Sequence, residues 1–169
     1  MYFCFLMIMD PNKAHYVAAT AIIVKDGKYL IVKRSEKEKA FPGLWTVPGG
    51  KLELNDYSKK PKDTEDCWYN IFENLIKREV MEETKLNVKN IKYLTSLSFI
   101  RPDNVPTIVV SFFADHDSGE VDLNNELVDH AWVDLKEAKK FELIGGIYEE
   151  LEMLDNFLKN NYFNEWKNK

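Results

Sequence analysis

The sequence predicts a mixed β-sheet flanked by helices, an α+β chain built as an α-β-α sandwich. Three observations carry that expectation. Apolar, β-branched stretches such as HYVAATAIIV (15–24) read as strands. Two segments place apolar residues at helical spacing: Trp68, Ile71, Phe72, Leu75, Ile76, and later Ile147, Leu151, Leu154, Leu158. Strands and helices alternate without a strict βαβ rhythm, so the sheet is expected to be mixed.

The elements follow in order. Asp26-Gly27 is a turn signal, and KYLIVKR (28–34) is the hairpin partner of the first strand. SEKEKAFPG (35–43) is a loop closed by Pro42-Gly43. LWTVPGGKLE (44–53) is a short strand entering a Pro-Gly-Gly turn, and LNDYSKKPKD (54–63) is a polar, lysine-rich loop. A helix is expected from Thr64, its N-cap, to about Thr84, with Glu65 and Asp66 at the positive end of its dipole. Cys67 would pack on that helix. Strands are expected over 91–101, 107–115 and 130–135, and a second helix over 147–161. No linker divides the 169 residues, so 1–169 reads as a single domain with its core at about 15–135.

Composition narrows the function. The chain is 45% hydrophobic and 30% charged, which is globular rather than disordered. A formal charge of −5 argues against a nucleic-acid binder. Two widely spaced cysteines, Cys4 and Cys67, make neither a disulfide framework nor a zinc pattern, and fit a reducing cytoplasm. The apolar run MYFCFLMIM (1–9) is too short to span a bilayer. It reads as an edge strand, as a dimer contact, or as translation from an upstream start, and monomer and homodimer both stay open. His15, His116 and His130 show no metal spacing.

KREVMEETKL (77–86) holds the chemistry. Glu79, Glu82 and Glu83 stand at i, i+3 and i+4, so a helix puts them on one face. Like charges at that spacing repel by a few tenths of a kcal/mol per pair. Solvent, a cationic neighbour or a metal must offset this. Hard cations such as Mg²⁺ take oxygen ligands of this kind. Upstream, the glycines of Pro48-Gly49-Gly50 allow close approach of the backbone to a metal or phosphate.

Together these residues resemble the Nudix box: Gly, five residues, Glu, seven residues, Arg-Glu, an apolar residue, any residue, Glu-Glu, any residue, Gly, an apolar residue. Gly50 matches the opening glycine, and Arg78, Glu79, Val80, Glu82, Glu83 and Leu86 match the closing half. FPGLWTVPGGKLE and the first hairpin are also similar to the family, and the resemblance covers roughly 15–135. There are three departures. Asp56 replaces the first glutamate, and Lys85 replaces the closing glycine. Asp56 and Arg78 are 22 positions apart where the box has eight, so about fourteen residues are extra. The expectation is a longer loop plus a helix extended at its N-terminal end.

The resemblance implies Mg²⁺-dependent hydrolysis of a diphosphate bond in a nucleoside diphosphate derivative, with Mn²⁺ a possible substitute. The substrate is then a small nucleotide, such as a nucleoside triphosphate or an ADP-ribose-like molecule, with no nucleic-acid or membrane partner. Metal ligands would be Glu79, Glu82 and Glu83 with a carbonyl near Gly49 or Gly50. Arg78 would orient a glutamate, and Glu126, in ELVDHAW, would be a further carboxylate from a later loop. Substrate candidates are Phe41, Trp45 and Phe99 for stacking and Arg34 and Arg101 for phosphate, with core packing and solvation as the competing uses. Pro102 is similar to a proline of the ADP-ribose-cleaving branch, and the turn RPDN accounts for it equally. Lys59, Lys60 and Lys62 read as a solvated loop or as an anion contact. A non-catalytic nucleotide-binding module on the same fold is the alternative. An isomerase of a non-nucleotide diphosphate finds no suitably placed cysteine.

Overall fold

The computed structural model describes residues 10, 12–101, 103–161 and 166. The run 1–9, with Cys4, and Pro102 lie outside the described residues, so the expectations placed on them do too. Elements in order are β1 (Tyr16–Lys25), β2 (Lys28–Arg34), β3 (Trp45–Thr46), β4 (Gly49–Lys51), a 3-10 turn (Leu54–Asp56), α1 (Ile71–Thr84), β5 (Asn87–Ile100), β6 (Pro106–Ser118), β7 (Leu127–Val133), α2 (Leu135–Ala138) and α3 (Ile147–Asn160).

The strands form one mixed sheet in the order β3-β2-β1-β6-β5, with β4 also paired to β1 and β7 to β2. β1 and β6 run parallel, and the other pairings are antiparallel. Asp26 and Gly27 take φ of 51° and 74°, the left-handed values a two-residue hairpin turn requires.

Both faces of the sheet are covered, which is why β1 and β2 read as nearly continuous apolar runs. Ala19, Ala21, Ile23, Leu30 and Val32 face α1 and meet Leu75, Ile76 and Val80. Ile22, Tyr29 and Ile31 face α3 and meet Ile147, Leu151 and Leu154. Burying a side chain of this size contributes roughly 1.5–3 kcal/mol, so the two clusters clamp the sheet from both sides.

The start of α1 departs from expectation. The helix begins at Ile71, not Thr64. Thr64 Oγ1 does accept from Cys67 N at 3.2 Å, but the chain there makes a closed turn. Trp68 Nε1 donates to Lys60 O at 2.9 Å, and its ring lies 5.4 Å from Tyr57. Asp63 Oδ2 accepts from Tyr69 N at 2.9 Å. These bonds hold 57–70 as a folded loop, so the whole insertion is loop and none of it lengthens the helix. Cys67 is exposed on that loop rather than packed. At the other end Lys85 takes φ 60° and its N–H returns to Met81 O at 3.1 Å, the left-handed exit that glycine makes at least cost.

Candidate functional site

The last two turns of α1 meet the β4 glycines. Gly49 N donates to Glu83 Oε2 at 3.0 Å. Glu83 is only 6% exposed. Burial pushes its pKa up to about 8; the Gly49 bond opposes this, Glu79 and Glu126 add to it, and Arg34 opposes it. Gly50 lies against Glu79 so closely that a Cβ would fall on the Glu79 carboxylate. A larger residue there would make the Glu79 carboxylate swing aside.

Arg78 gathers the other carboxylates. Its Nη2 lies 3.0 Å from Asp56 Oδ1 and 2.8 Å from Glu79 Oε1, and its Nη1 lies 2.8 Å from Glu82 Oε2. Asp56 thus reaches Arg78 across the insertion, because the 3-10 turn closes on itself: Asp56 Oδ2 accepts from Glu53 N at 2.7 Å. Burial raises the pKa of Glu79, and Arg78 holds that rise back.

Glu126 sits at the entrance to β7. Its carbonyl accepts from Ser35 N at 2.8 Å, and Asn124 N donates to Glu83 O at 3.2 Å. The loop before β7 is therefore pinned to the end of α1, which brings Glu126 within electrostatic reach of Glu83. Arg34, at the end of β2, bonds Ala40 O at 2.9 Å and Glu38 Oε2 at 2.8 Å.

The remaining candidates have partners of their own. Phe41 and Phe99 form a pair with ring centroids 6.0 Å apart. Trp45 is partly buried, edge-on to Phe141 at 4.7 Å and packed against the α3-side core. Arg101 is bound to Asp103 through Nε at 3.1 Å and Nη2 at 2.9 Å, and lies over Tyr16. The Gly49–Glu83 bond was not foreseen, since nothing in the sequence says which glutamate turns toward a backbone donor.

The donor set suits a hard divalent cation: carboxylate oxygens, a carbonyl-bearing glycine turn and no sulfur. Among the described residues no three such groups converge into a closed cage. The reason is visible. Arg78 draws Glu79 and Glu82 to itself, and Gly49 draws Glu83.

The family model described as the NUDIX domain matches residues 14–154. The chain belongs to the Nudix family. Its relatives include the NAD-capped RNA hydrolase NudC of Mannheimia succiniciproducens, 44% identical over 115 residues, covering 66% of this chain and 37% of the relative. NudC of Erwinia tasmaniensis is 33% identical over 91 residues, covering 53% of this chain and 28% of the relative. The matched region thus spans well under half the length of these curated relatives. The Nudix fold recurs in the MutT NUDIX hydrolase of Burkholderia pseudomallei, with TM-score 0.66 and 23% identity over 83% of this chain and 98% of that one. It recurs also in the NUDIX domain of Shewanella oneidensis NrtR complexed with ADP ribose, with TM-score 0.67 and 20% identity over 94% and 99%. Among the described residues no helix is long and apolar enough to cross a membrane.

Proposed function

We propose that this Nudix protein is a cytoplasmic, divalent-cation-dependent hydrolase of a diphosphate bond in a nucleoside diphosphate derivative. The observation that carries the reading is the end of α1, where Glu83 accepts from Gly49 N, Glu79 lies against Gly50, and Arg78 holds Glu79 and Glu82. Glu79, Glu82, Glu83 and a carbonyl of Gly49 or Gly50 would hold Mg²⁺, or Mn²⁺ in its place, with Glu126 adding a carboxylate. Bound there, the ion would neutralise the diphosphate and lower the pKa of a water.

The chain's own residues prepare that site. Arg78 orients Glu79 and Glu82 through a forked set of charge-assisted bonds. Asp56 shares the Arg78 Nη2 with Glu79. Gly50 leaves the space that the Glu79 carboxylate fills. Glu83, buried beside Glu79 and Glu126, is held by Gly49 N, which fixes where its carboxyl points.

The names of the relatives and the ADP-ribose of the structural neighbour share an adenosine diphosphate, which favours dinucleotide and ADP-ribose-like substrates. Phe41 and Phe99 remain the stacking candidates, and Arg34 the phosphate candidate nearest the carboxylates. A capped RNA 5′ end joins the candidates through the relatives' names, against the expectation drawn from net charge. Purified protein with Mg²⁺ would be offered NADH, NAD-capped RNA, ADP-ribose and nucleoside triphosphates, and products separated by chromatography. Chelator-sensitive cleavage of one of them is expected.

A second reading, a nucleotide-binding module without turnover, draws support from the grip of Arg78 on three carboxylates. Turnover of any member of the panel removes it. Nucleotide binding without cleavage across the panel removes the first.

A further inference from the structure

Glu150 is a buried group that the reading above does not use. It lies in the first turn of α3, 3% exposed, inside the core on that side of the sheet. Ser111 Oγ donates to Glu150 Oε1 at 2.8 Å, and Thr20 Oγ1 donates to Ser111 Oγ at 3.2 Å. Glu150 Oε2 has no partner among the described residues. A buried oxygen left unbonded is costly, and a leucine would fill a similar volume without that cost. Such a group calls for an explanation.

Strand register shows where the hydroxyl chain leads. Thr20 of β1 stands opposite Ser111 on one neighbouring strand and opposite Gly49 on the other. Gly49 lies flat on Thr20: a Cβ at Gly49 would fall 2.7 Å from Thr20 Cα and 3.0 Å from its Cγ2. Gly49 N is the donor that holds Glu83. A continuous line of contacts therefore crosses the sheet, from Glu150 through Ser111, Thr20 and Gly49 to Glu83.

We propose that Glu150 is a positioning residue for the carboxylate face of α1, acting through Ser111 and Thr20 to fix Gly49 as the donor to Glu83. The inference rests on the reading of that face as the working site. Its physical content is rotamer selection. The Thr20 hydroxyl occupies one staggered well because Ser111 accepts from it. That choice places Cγ2 beneath Gly49. Ser111 in turn accepts from Thr20 because its own proton is committed to Glu150. Thr20 and Ser111 are a threonine and a serine inside apolar strands, where valine and alanine would pack as well, so their hydroxyls are what distinguishes them.

The test uses Glu150→Leu, Ser111→Ala and Glu150→Gln in the full chain. Two quantities are read: hydrogen exchange of the Gly49 amide in metal-free protein, and Mn²⁺ affinity by calorimetry. Glu150→Leu and Ser111→Ala are expected to speed Gly49 exchange about tenfold and to weaken Mn²⁺ binding about tenfold, the usual scale for losing a group that orients a ligand. Amides of Leu30 and Ile31 in β2 stay unchanged. Glu150→Gln keeps an oxygen for Ser111 and is expected to restore both quantities. Should Glu150→Leu fail to fold, Ser111→Ala, which deletes one hydroxyl, decides alone. Unchanged Gly49 exchange in Ser111→Ala overturns the proposal. A Gly49 response in a protein that binds no Mn²⁺ supports the relay and removes the metal reading. Mn²⁺ binding with no Gly49 response does the reverse.

Discussion

Among the described residues each face of the sheet buries one glutamate, and the two have different surroundings. Glu83, on the α1 side, is 6% exposed and has its pKa pushed up to about 8. Glu150, on the α3 side, is 3% exposed and has its pKa pushed up to about 7. Burial is the leading cause in both. The neighbours differ. Glu83 has a backbone donor, an arginine and two further carboxylates within reach, because α1 ends where the glycine turn and the β7 loop converge. Glu150 has a serine hydroxyl and the like charge of Glu149. The same residue type at the same depth thus stands among charged and backbone groups on one face and beside a single hydroxyl on the other.

Glu83→Gln breaks this comparison most severely. It removes a carboxyl that can ionise when a cation binds while keeping an oxygen for Gly49 N. Turnover of the identified substrate is expected to fall by roughly 10²–10⁴-fold, the scale of a lost catalytic acid–base or coordinating group. The thermal midpoint at pH 8 should not drop. A variant retaining more than half the wild-type kcat would remove Glu83 from the machinery.

The second prediction concerns pH. Folded Glu150 keeps its proton up to about pH 7, whereas its ordinary value is 4.5. Between those values the folded chain binds more protons than the unfolded one, so stability falls as pH rises. Above about pH 7 both forms are ionised and the loss is complete, at roughly 3 kcal/mol from this group. Glu83 contributes with the same sign up to about pH 8. The difference between wild type and Glu150→Gln isolates Glu150. Urea unfolding at pH 5 and pH 8 is expected to show a smaller loss of stability in the variant. Equal losses in the two proteins would mean that Glu150 is not held neutral.

Gly50→Ala tests the α1 face by crowding. The new Cβ has no room beside the Glu79 carboxylate. Glu79 must turn away or β4 must shift from α1. Divalent-metal affinity is expected to fall roughly 10–100-fold, measured by Mn²⁺ titration, with the α3 face untouched. Unaltered affinity would place the metal away from Glu79.

Much of this was legible from the residues. Asp26-Gly27 announced the hairpin, the 3.6-residue spacing of Ile147, Leu151 and Leu154 announced α3, and Glu79, Glu82 and Glu83 shared a face as their spacing required. The start of α1 was misread because Trp68 fits the helical spacing, yet its indole is bound to a carbonyl within the loop. α2 is four residues long, too short to show a period, though Asp134 and Glu137 form its capping box. β5 starts before, and β6 ends after, the bounds expected of them because their pairing continues through polar residues such as Asn87 and Ser118. Asp56 and Arg78 meet through tertiary geometry, which spacing across an insertion cannot carry. Glu150 had no visible signal: a glutamate in the first turn of a helix reads as a favourable charge at the dipole. Its counterpart did leave a trace, since Ser111 interrupts an apolar strand.

The smallest effect sharpens the comparison by leaving the chemistry alone. Lys85 closes α1 with φ 60°, and its carbonyl lies so close to Gly119 that a Cβ there would come within 2.7 Å of it. The backbone at Lys85 thus lies in the left-handed region, against the β5–β6 side at Gly119. A side chain there costs about 1–2 kcal/mol, and glycine's greater freedom in the unfolded chain returns about 0.5–1 kcal/mol of that. Lys85→Gly is expected to stabilise by about 0.5–1 kcal/mol, a rise of roughly 1–4 °C in Tm for a chain of this size. Turnover should stay within twofold, because the helix that presents Glu82 and Glu83 already ends in the conformation glycine prefers. A fall in Tm would instead assign the Lys85 side chain a packing role that outweighs its strained backbone.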